Sequence, residues 1–428
     1  MLFGQGGFPQ MACWGRNILF CIFAVSAHTA PETAAAQDIE EPTAQEAAVV
    51  LRQRTGLDPQ GVTLGAFRLL PVLNASVSYD DNIYDRRSPD IADTYLRLNP
   101  KLELDSLWSR HGLRLTVDGD ARRYLDTPSE NSDQFGVNAL GRIDIAPDLR
   151  LNLNGSFARR TENRGSAGDV FLGPGPNIYY QKALGVGVTA TPGPLLFNLN
   201  ASTTRFDYRD AVGPAGPIDL SSRAYITSTL NARAGYEVAP RIYAFASGSL
   251  NRSRYPNSQS SGRGSNGYSV GGGLRFDLGE LLGGEVRLDY MNQDFASPLY
   301  SDVSGLGYSA SIFWNPTTLL SVQVQAARIL ERAPLVDVSA VDQNSLQVTA
   351  DYELLRRLLI SASLQRVRST FRGIDRIEDR YVETVTARYN LSRFFDLTFS
   401  ANLRQQSSPV SSRRYSAGQF GMGLIAKY

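Results

Sequence analysis

Residues 73–80 read Leu73-Asn74-Ala75-Ser76-Val77-Ser78-Tyr79-Asp80, apolar at every odd position and polar at every even one. Successive side chains of a strand point to opposite faces, so this two-residue period describes a sheet with one apolar and one hydrated side. The texture recurs along the chain. Leu113, Leu115 and Val117 alternate with Arg114, Thr116 and Asp118; Leu149, Leu151 and Leu153 with Arg150, Asn152 and Asn154; Val286, Leu288 and Tyr290 with Arg287 and Asp289; Leu397, Phe399, Ala401 and Leu403 with Thr398, Ser400, Asn402 and Arg404. About eighteen such segments open near Leu70, Tyr95, Gly112, Asp133, Leu149, Tyr179, Leu195, Arg223, Arg241, Gly267, Gly284, Gly305, Thr318, Ser345, Leu358, Arg380, Asp396 and Tyr415. Roughly 20 residues per strand and connection suit strands of about ten residues.

Connection lengths decide the class. Short ones such as 146–148, 191–194, 239–240, 315–317 and 392–394 alternate with long ones at 81–93, 161–178, 207–221, 255–266, 293–304, 330–341, 369–379 and 405–413. A soluble sandwich has no reason to gather its long loops at one end. A transmembrane barrel keeps tight turns on the periplasmic side and longer loops outside. In lipid every backbone polar group needs a partner within the protein, so a spanning sheet closes on itself. The fold expected is all-β: a transmembrane antiparallel up-and-down β-barrel of about 18 strands over residues 67–428. Aromatics near strand ends (Tyr79, Tyr95, Trp108, Tyr236, Tyr243, Tyr290, Trp314, Tyr352 and Tyr389) fit two interfacial belts. The ninth segment leaves its facing open, with either Tyr243 and Phe245 or Ile242 and Ala244 toward lipid.

The N-terminus reads as a targeting signal. Arg16 precedes the short apolar run 17–25, and small residues follow, with cleavage expected after Ala36 and Ala27 as the other fitting site. Residues 1–36 are thus expected to be a signal peptide, removed on export. Residues 37–66 are then a polar periplasmic leader, in which Ala44 to Arg54 has the pattern of one short helix. Both cysteines, Cys13 and Cys21, fall in the signal, so the exported chain has no disulfide or thiol chemistry.

Composition narrows the function. The 43 basic and 42 acidic residues leave a net charge of +1, with no clustered basic field for nucleic acid. No apolar run after residue 30 reaches the roughly 18 residues of a spanning helix. Beyond Ala36 the single histidine, His111, falls in an expected turn, and no nucleophile elbow, Cys/His cluster or phosphate loop occurs. An enzyme is not expected, and neither is a catalytic residue, metal or cofactor. Asp80, Asp81 and Asn82 are adjacent oxygen donors of the kind that hold calcium, and equally ordinary loop chemistry.

The polar phase of the alternation lists the side chains expected to line the lumen: Arg97, Lys101, Arg114, Asp118, Asp120, Arg122, Arg142, Arg150, Arg233, Arg275, Asp277, Arg287, Asp289, Arg388 and Arg404, with amides such as Asn152, Asn198 and Asn402. Only three basic residues of the whole chain are lysine. Arginine forks bind carboxylates bidentately and stack on flat faces. Such a wall suits a glycan, neutral or acidic; Arg–Asp pairs that merely brace neighbouring strands would produce the same list.

Further stretches carry a family likeness. Phe67-Arg-Leu-Leu-Pro71 opens the barrel, and Tyr79-Asp80-Asp81-Asn82-Ile83-Tyr84 follows the first strand. Arg97-Leu-Asn-Pro-Lys-Leu-Glu-Leu104 then leads into Trp108-Ser-Arg-His-Gly-Leu113. Beyond about residue 66 the chain resembles the β-barrel porin 2 family of Gram-negative bacteria. The resemblance implies an outer-membrane barrel tied to exopolysaccharide, capsule or holdfast export, a passive channel working beside a periplasmic polysaccharide-export protein, with glycan polymer as cargo. It supplies no catalytic residues. The ending Phe420-x-Met422-x-Leu424-x-Ala426-x-Tyr428 resembles the signal read by the barrel-assembly machinery. A diffusion porin for small solutes, and a plugged structural or adhesive barrel, are the other readings.

Overall fold

The computed structural model describes residues 45, 48–52, 54, 56–167, 169, 173, 175–213, 216–332, 335 and 338–428. The expected signal peptide lies outside them. Eighteen long strands of 13 to 16 residues follow one another: β1 Phe67–Asp80, β2 Asp93–Ser106, β3 Gly112–Tyr124, β4 Ser132–Ala146, β5 Leu149–Thr161, β6 Ile178–Ala190, β7 Leu195–Tyr208, β8 Tyr225–Ala239, β9 Ile242–Arg254, β10 Ser265–Asp277, β11 Leu282–Phe295, β12 Val303–Thr317, β13 Leu320–Arg332, β14 Ala340–Leu355, β15 Leu358–Phe371, β16 Arg376–Asn390, β17 Phe395–Ser407 and β18 Tyr415–Lys427. Each pairs antiparallel with its sequence neighbours, and β18 returns to β1 in a register running from Val72↔Lys427 to Asp80↔Gln419. The ring is therefore closed and has no free edge, as a sheet in lipid requires. A three-residue strand, Val62–Leu64, folds back on the start of β1.

The opening sequence shows why the strands face as they do. In β1, Leu73, Val77 and Tyr79 are 40–47% exposed, whereas Asn74, Ser76, Ser78 and Asp80 are at most 7% exposed. The apolar phase is the convex, lipid-facing surface, and the polar phase is the concave one. A strand of 13 residues rises ~30 Å at ~3.3 Å per residue and a tilt of about 45°, enough to cross the hydrocarbon layer. Tight turns such as 147–148, 240–241, 318–319 and 356–357 close one end, and long connections lie at the other.

Several details differ from the sequence reading. The expected long connection 369–379 is a hairpin with only 372–375 between its strands, because β15 and β16 continue upward through polar residues that break the two-residue texture. Likewise β14 opens at Ala340, five residues before Ser345, through Val-Asp-Gln-Asn. Residues 125–131 form a further connection at the long-loop end. In β9 it is Ile242 and Ala244 that share the lipid-facing phase, while Phe245 is buried on the concave side. Of the nine belt aromatics, Tyr95 and Tyr243 face inward instead. Tyr95 is buried and accepts a bond from Gln419 Nε2, and Tyr243 donates to Glu237. The other seven are exposed on the convex side or its turns.

Candidate functional site

The concave wall is a sheet of ion pairs. Arg97 grips Asp120 through two bonds of 3.0 and 2.6 Å, and Arg122 reaches the same carboxylate at 3.3 Å. Lys101 meets Glu103 at 3.0 Å and Arg114 meets Asp105 at 2.7 Å. Asp118 takes Arg160 at 2.9 Å, and Asp144 takes both Arg142 (3.2 Å) and Arg150 (3.8 Å). Arg233 holds Glu285 with two 2.8 Å bonds, Arg287 lies 3.6 Å from Asp289, and Asp277 lies 3.4 Å from Arg241. Arg275 sits on β10 opposite Tyr243 and Glu285. Arg97–Asp120, Arg114–Asp105, Arg150–Asp144 and Arg160–Asp118 join adjacent or next-adjacent strands and Arg233–Glu285 reaches from β8 to β11, so these pairs brace the wall as well as charge it, whereas Lys101–Glu103, Arg122–Asp120, Arg142–Asp144 and Arg287–Asp289 lie two residues apart on one strand. Arg404 and Arg388 are placed differently, at the two ends of the lumen.

Arg404, on β17, anchors the family stretch after β1. It donates to both oxygens of Asp80 (2.9 and 2.8 Å) and, through Nε, to Asp85 (2.9 Å). Asp81 accepts from the Gly418 N–H at 2.7 Å while its own N–H donates to the Gly418 carbonyl, pinning β1 to β18 at the seam. Asn82 closes a turn by donating to the Arg86 carbonyl at 2.7 Å and accepting from the Arg86 N–H. The three neighbouring oxygen donors thus each have an internal partner. Among the described residues no group of three potential metal ligands occurs. Tyr84 is buried, with the Arg164 guanidinium 5.4 Å above its ring.

That guanidinium belongs to the connection between β5 and β6, which enters the barrel. Arg164 pairs with Glu130 at 2.8 Å and donates to the Gly175 carbonyl at 2.6 Å. Gly165 lies at φ +74°, and an added Cβ would stand 2.6 Å from the Asp85 Cβ and 2.8 Å from the Tyr415 hydroxyl. Only glycine fits so close an approach in that conformation. Arg413, before β18, donates to the carbonyls of Gly165 (3.3 Å), Ser166 (2.6 Å) and Asp169 (3.1 Å) and pairs with Glu378 at 3.0 Å. Arg86 reaches Asp169 at 3.5 Å. Ala167 packs on an apolar cluster of Val338, Val341 and Phe371 at the tops of β14 and β15. Those strands stand nine places round an eighteen-stranded ring from β5 and β6, so this connection reaches the opposite wall.

The short-turn end is entered as well. Residues 48–52 form turns, Val49 is completely buried, and its N–H donates to Ser321 Oγ at the foot of β13 (2.8 Å). Arg54 donates to the Val49 carbonyl (2.7 Å) and pairs with Glu353 of β14 at 3.3 Å. Nearby, Arg388 shares the field of Asp351 and Asp396, and Asp396 takes Lys427 at 2.7 Å and Asn390 at 2.8 Å. His111, in the β2–β3 turn, accepts from the Asp144 N–H at Nδ1 (3.1 Å) and donates its backbone N–H to Asp144 Oδ2 (3.0 Å).

Sequence reasoning missed one wall feature. A track of aromatics runs along the concave face near the long-loop end: Tyr179, Phe206, Tyr225 and Tyr255, with centroid steps of 6.0, 4.6 and 5.9 Å. Arg332 and Arg263 lie over Tyr225 and Tyr255 at 5.5 and 4.8 Å. The signal was present: Phe206 follows Asn198, Asn200, Ser202 and Thr204 on the polar phase of its strand.

The sequence matches the family described as "Putative beta-barrel porin 2" over residues 54–428. No curated protein matches it. Among solved structures, OccK2 (OpdF) of Pseudomonas aeruginosa is similar at 12% identity and a TM-score of 0.48, over 85% of this chain and 98% of that one. The siderophore receptor PirA of Acinetobacter baumannii follows at 7% and 0.47, over 84% and 80%. OpdK of Pseudomonas aeruginosa stands at 13% and 0.44, over 84% and 99%.

Proposed function

The chain belongs to the β-barrel porin 2 family of outer-membrane barrels, and from that premise we infer that it is a passive channel through which a surface polysaccharide leaves the cell. The observation that carries this reading is the chemistry of the concave wall. Guanidiniums held flat by carboxylates, side-chain amides and an aromatic track offer many weak contacts to hydroxyls, uronate carboxylates and sugar ring faces. Many weak sites favour sliding over trapping. No residue is asked to make or break a covalent bond, and the polymer is pushed from the periplasmic side, with a periplasmic export protein as the natural partner of the short-turn end.

Both ends are narrowed by the protein's own chain, so passage requires the 48–58 segment and the 162–177 connection to yield. A plugged structural barrel is the second reading, and the complete burial of Val49 favours it. Single-channel recording in a planar bilayer separates the two. A conducting barrel whose current rises when residues 37–58 are deleted supports the channel. No current from either form overturns it. In cells, loss of the gene is expected to abolish surface polymer and leave small-solute uptake unchanged; the reverse result would mean a diffusion porin.

A further inference from the structure

On the convex side of β6 to β9 every Lys, Arg, Asp and Glu side chain lies at one end. From the short-turn end upward the outward phase reads Ala190, Val188, Val186 and Leu184 on β6, and Leu195, Phe197, Leu199 and Ala201 on β7. It reads Val238, Tyr236, Ala234, Ala232 and Leu230 on β8, and Ile242, Ala244, Ala246, Gly248 and Leu250 on β9. Directly above this apolar field come Lys182, Arg205, Arg252 and Arg254, all exposed, with Asp207 as the only carboxylate on the outward phase of these four strands. The exposed Leu184 and Leu250 mark the edge just below them.

These cations share a level. The registers place Lys182 opposite Arg205, Arg205 opposite Ile226, and Ile226 opposite Arg254; Arg252 stands one outward position lower, beside Ser228, whose Oγ lies 3.2 Å from Thr203 Oγ. Ten residues of strand, from Ile242 to Arg252, rise ~25 Å at ~3.3 Å each and a tilt of about 40°, which is the height of a barrel's apolar band. The row therefore meets the polar headgroups of the outer leaflet rather than its acyl chains. Like charges directly opposite on one face of a sheet repel. Asp207 answers only part of that repulsion, binding Arg205 at 2.7 Å and Lys182 at 3.4 Å. Arg252 and Arg254 have no ion pair among the described residues.

We propose that this patch is a docking site for an anionic phosphorylated glycolipid of the outer leaflet, whose phosphate sits among Lys182, Arg205, Arg252 and Arg254 while its acyl chains lie on Leu184, Leu199 and Leu250. Two guanidinium forks and a further pair of cations match the geometry and charge of a phosphate. The apolar field beneath supplies the surface that a free phosphate would not use. The site is on the outside of the barrel, so it stands apart from the transport reading and survives its failure.

The test uses the purified full-length barrel in nanodiscs of zwitterionic lipid carrying a small fraction of bis-phosphorylated lipid A, with retained lipid counted by native mass spectrometry. The wild type is expected to hold lipid A, and the Lys182→Gln/Arg205→Gln/Arg252→Gln/Arg254→Gln variant to hold it about tenfold more weakly or less well still. If the fourfold variant does not assemble, Arg252→Gln/Arg254→Gln alone is expected to weaken retention by severalfold, since neither residue supports a described carboxylate. Equal retention by wild type and variant overturns the proposal. So does equal retention of lipid A stripped of its phosphates.

Discussion

Replacing Arg413 by alanine should release the connection that crosses the lumen. In the wild type this side chain is buried and donates to three carbonyls of that connection, those of Gly165, Ser166 and Asp169. Its carboxylate partner Glu378 keeps Arg376 at 2.9 Å and Ser408 at 2.9 Å after the change, so no bare buried charge is created. The loss is then three bonds to peptide carbonyls, set at the ordinary net value of about 1 kcal/mol each, a lower bound because the donor is charged. About 3 kcal/mol is a factor of about one hundred in the docked-to-undocked ratio. The exported chain is expected to have no cysteine, so a single Ser166→Cys gives a clean reporter. Ser166 is 2% exposed and its hydroxyl has no hydrogen-bond partner among the described residues, which makes sulfur a near-neutral replacement. Reaction of that thiol with a membrane-impermeant maleimide should quicken about a hundredfold when Arg413→Ala is added. Equal labelling rates would refute the latch, and with it the claim that the connection is held rather than merely resting there.

Asp81→Ala removes the side-chain acceptor that takes the Gly418 N–H at the seam, and should lower the barrel's stability to urea by about 1 kcal/mol, read from the unfolding midpoint in vesicles; an unchanged midpoint would deny the seam bond any weight. Met422→Arg puts a charge on the lipid face near mid-depth and should cost about 2–4 kcal/mol in the same measurement, whereas Gln405→Arg, outward but near the upper rim, should cost at most about 1 kcal/mol. Equal costs at the two positions would mean that the membrane does not lie where the apolar band places it.

How much of this was legible differs by link. Strand order, facing and closure follow from a two-residue texture, and fifteen of the eighteen expected openings fall within two residues of the observed ones. The two largest misses share a cause: β14 and β16 begin above the membrane, where no lipid requires an apolar phase, so Val341-Asp-Gln-Asn344 and Ile377-Glu-Asp-Arg380 carry no alternation. The wall pairs were foreseeable as a class, because an arginine on the polar phase meets whatever carboxylate the neighbouring strand offers. The segments that enter the lumen were not. Arg413 and Ser166 stand 247 positions apart and meet only because the ring brings its two sides together. The stretch Tyr79–Tyr84 was visible as a likeness, but its work, one aspartate on Arg404 and the next on Gly418, depends on strands at the far end of the chain.

Each joint of the ring but one is a hairpin between consecutive strands. The exception brings Val72 beside Lys427 and Asp80 beside Gln419. A hairpin needs only a small loop to close, so the chain can build a curling sheet strand by strand from local contacts. The whole cost of long-range search then falls on one zipper, whose two halves are made first and last. Until it meets, both margins of the sheet offer bare backbone to any passing strand, and a helper that shields or guides those two margins would govern the yield of finished cylinders more than any change within a hairpin.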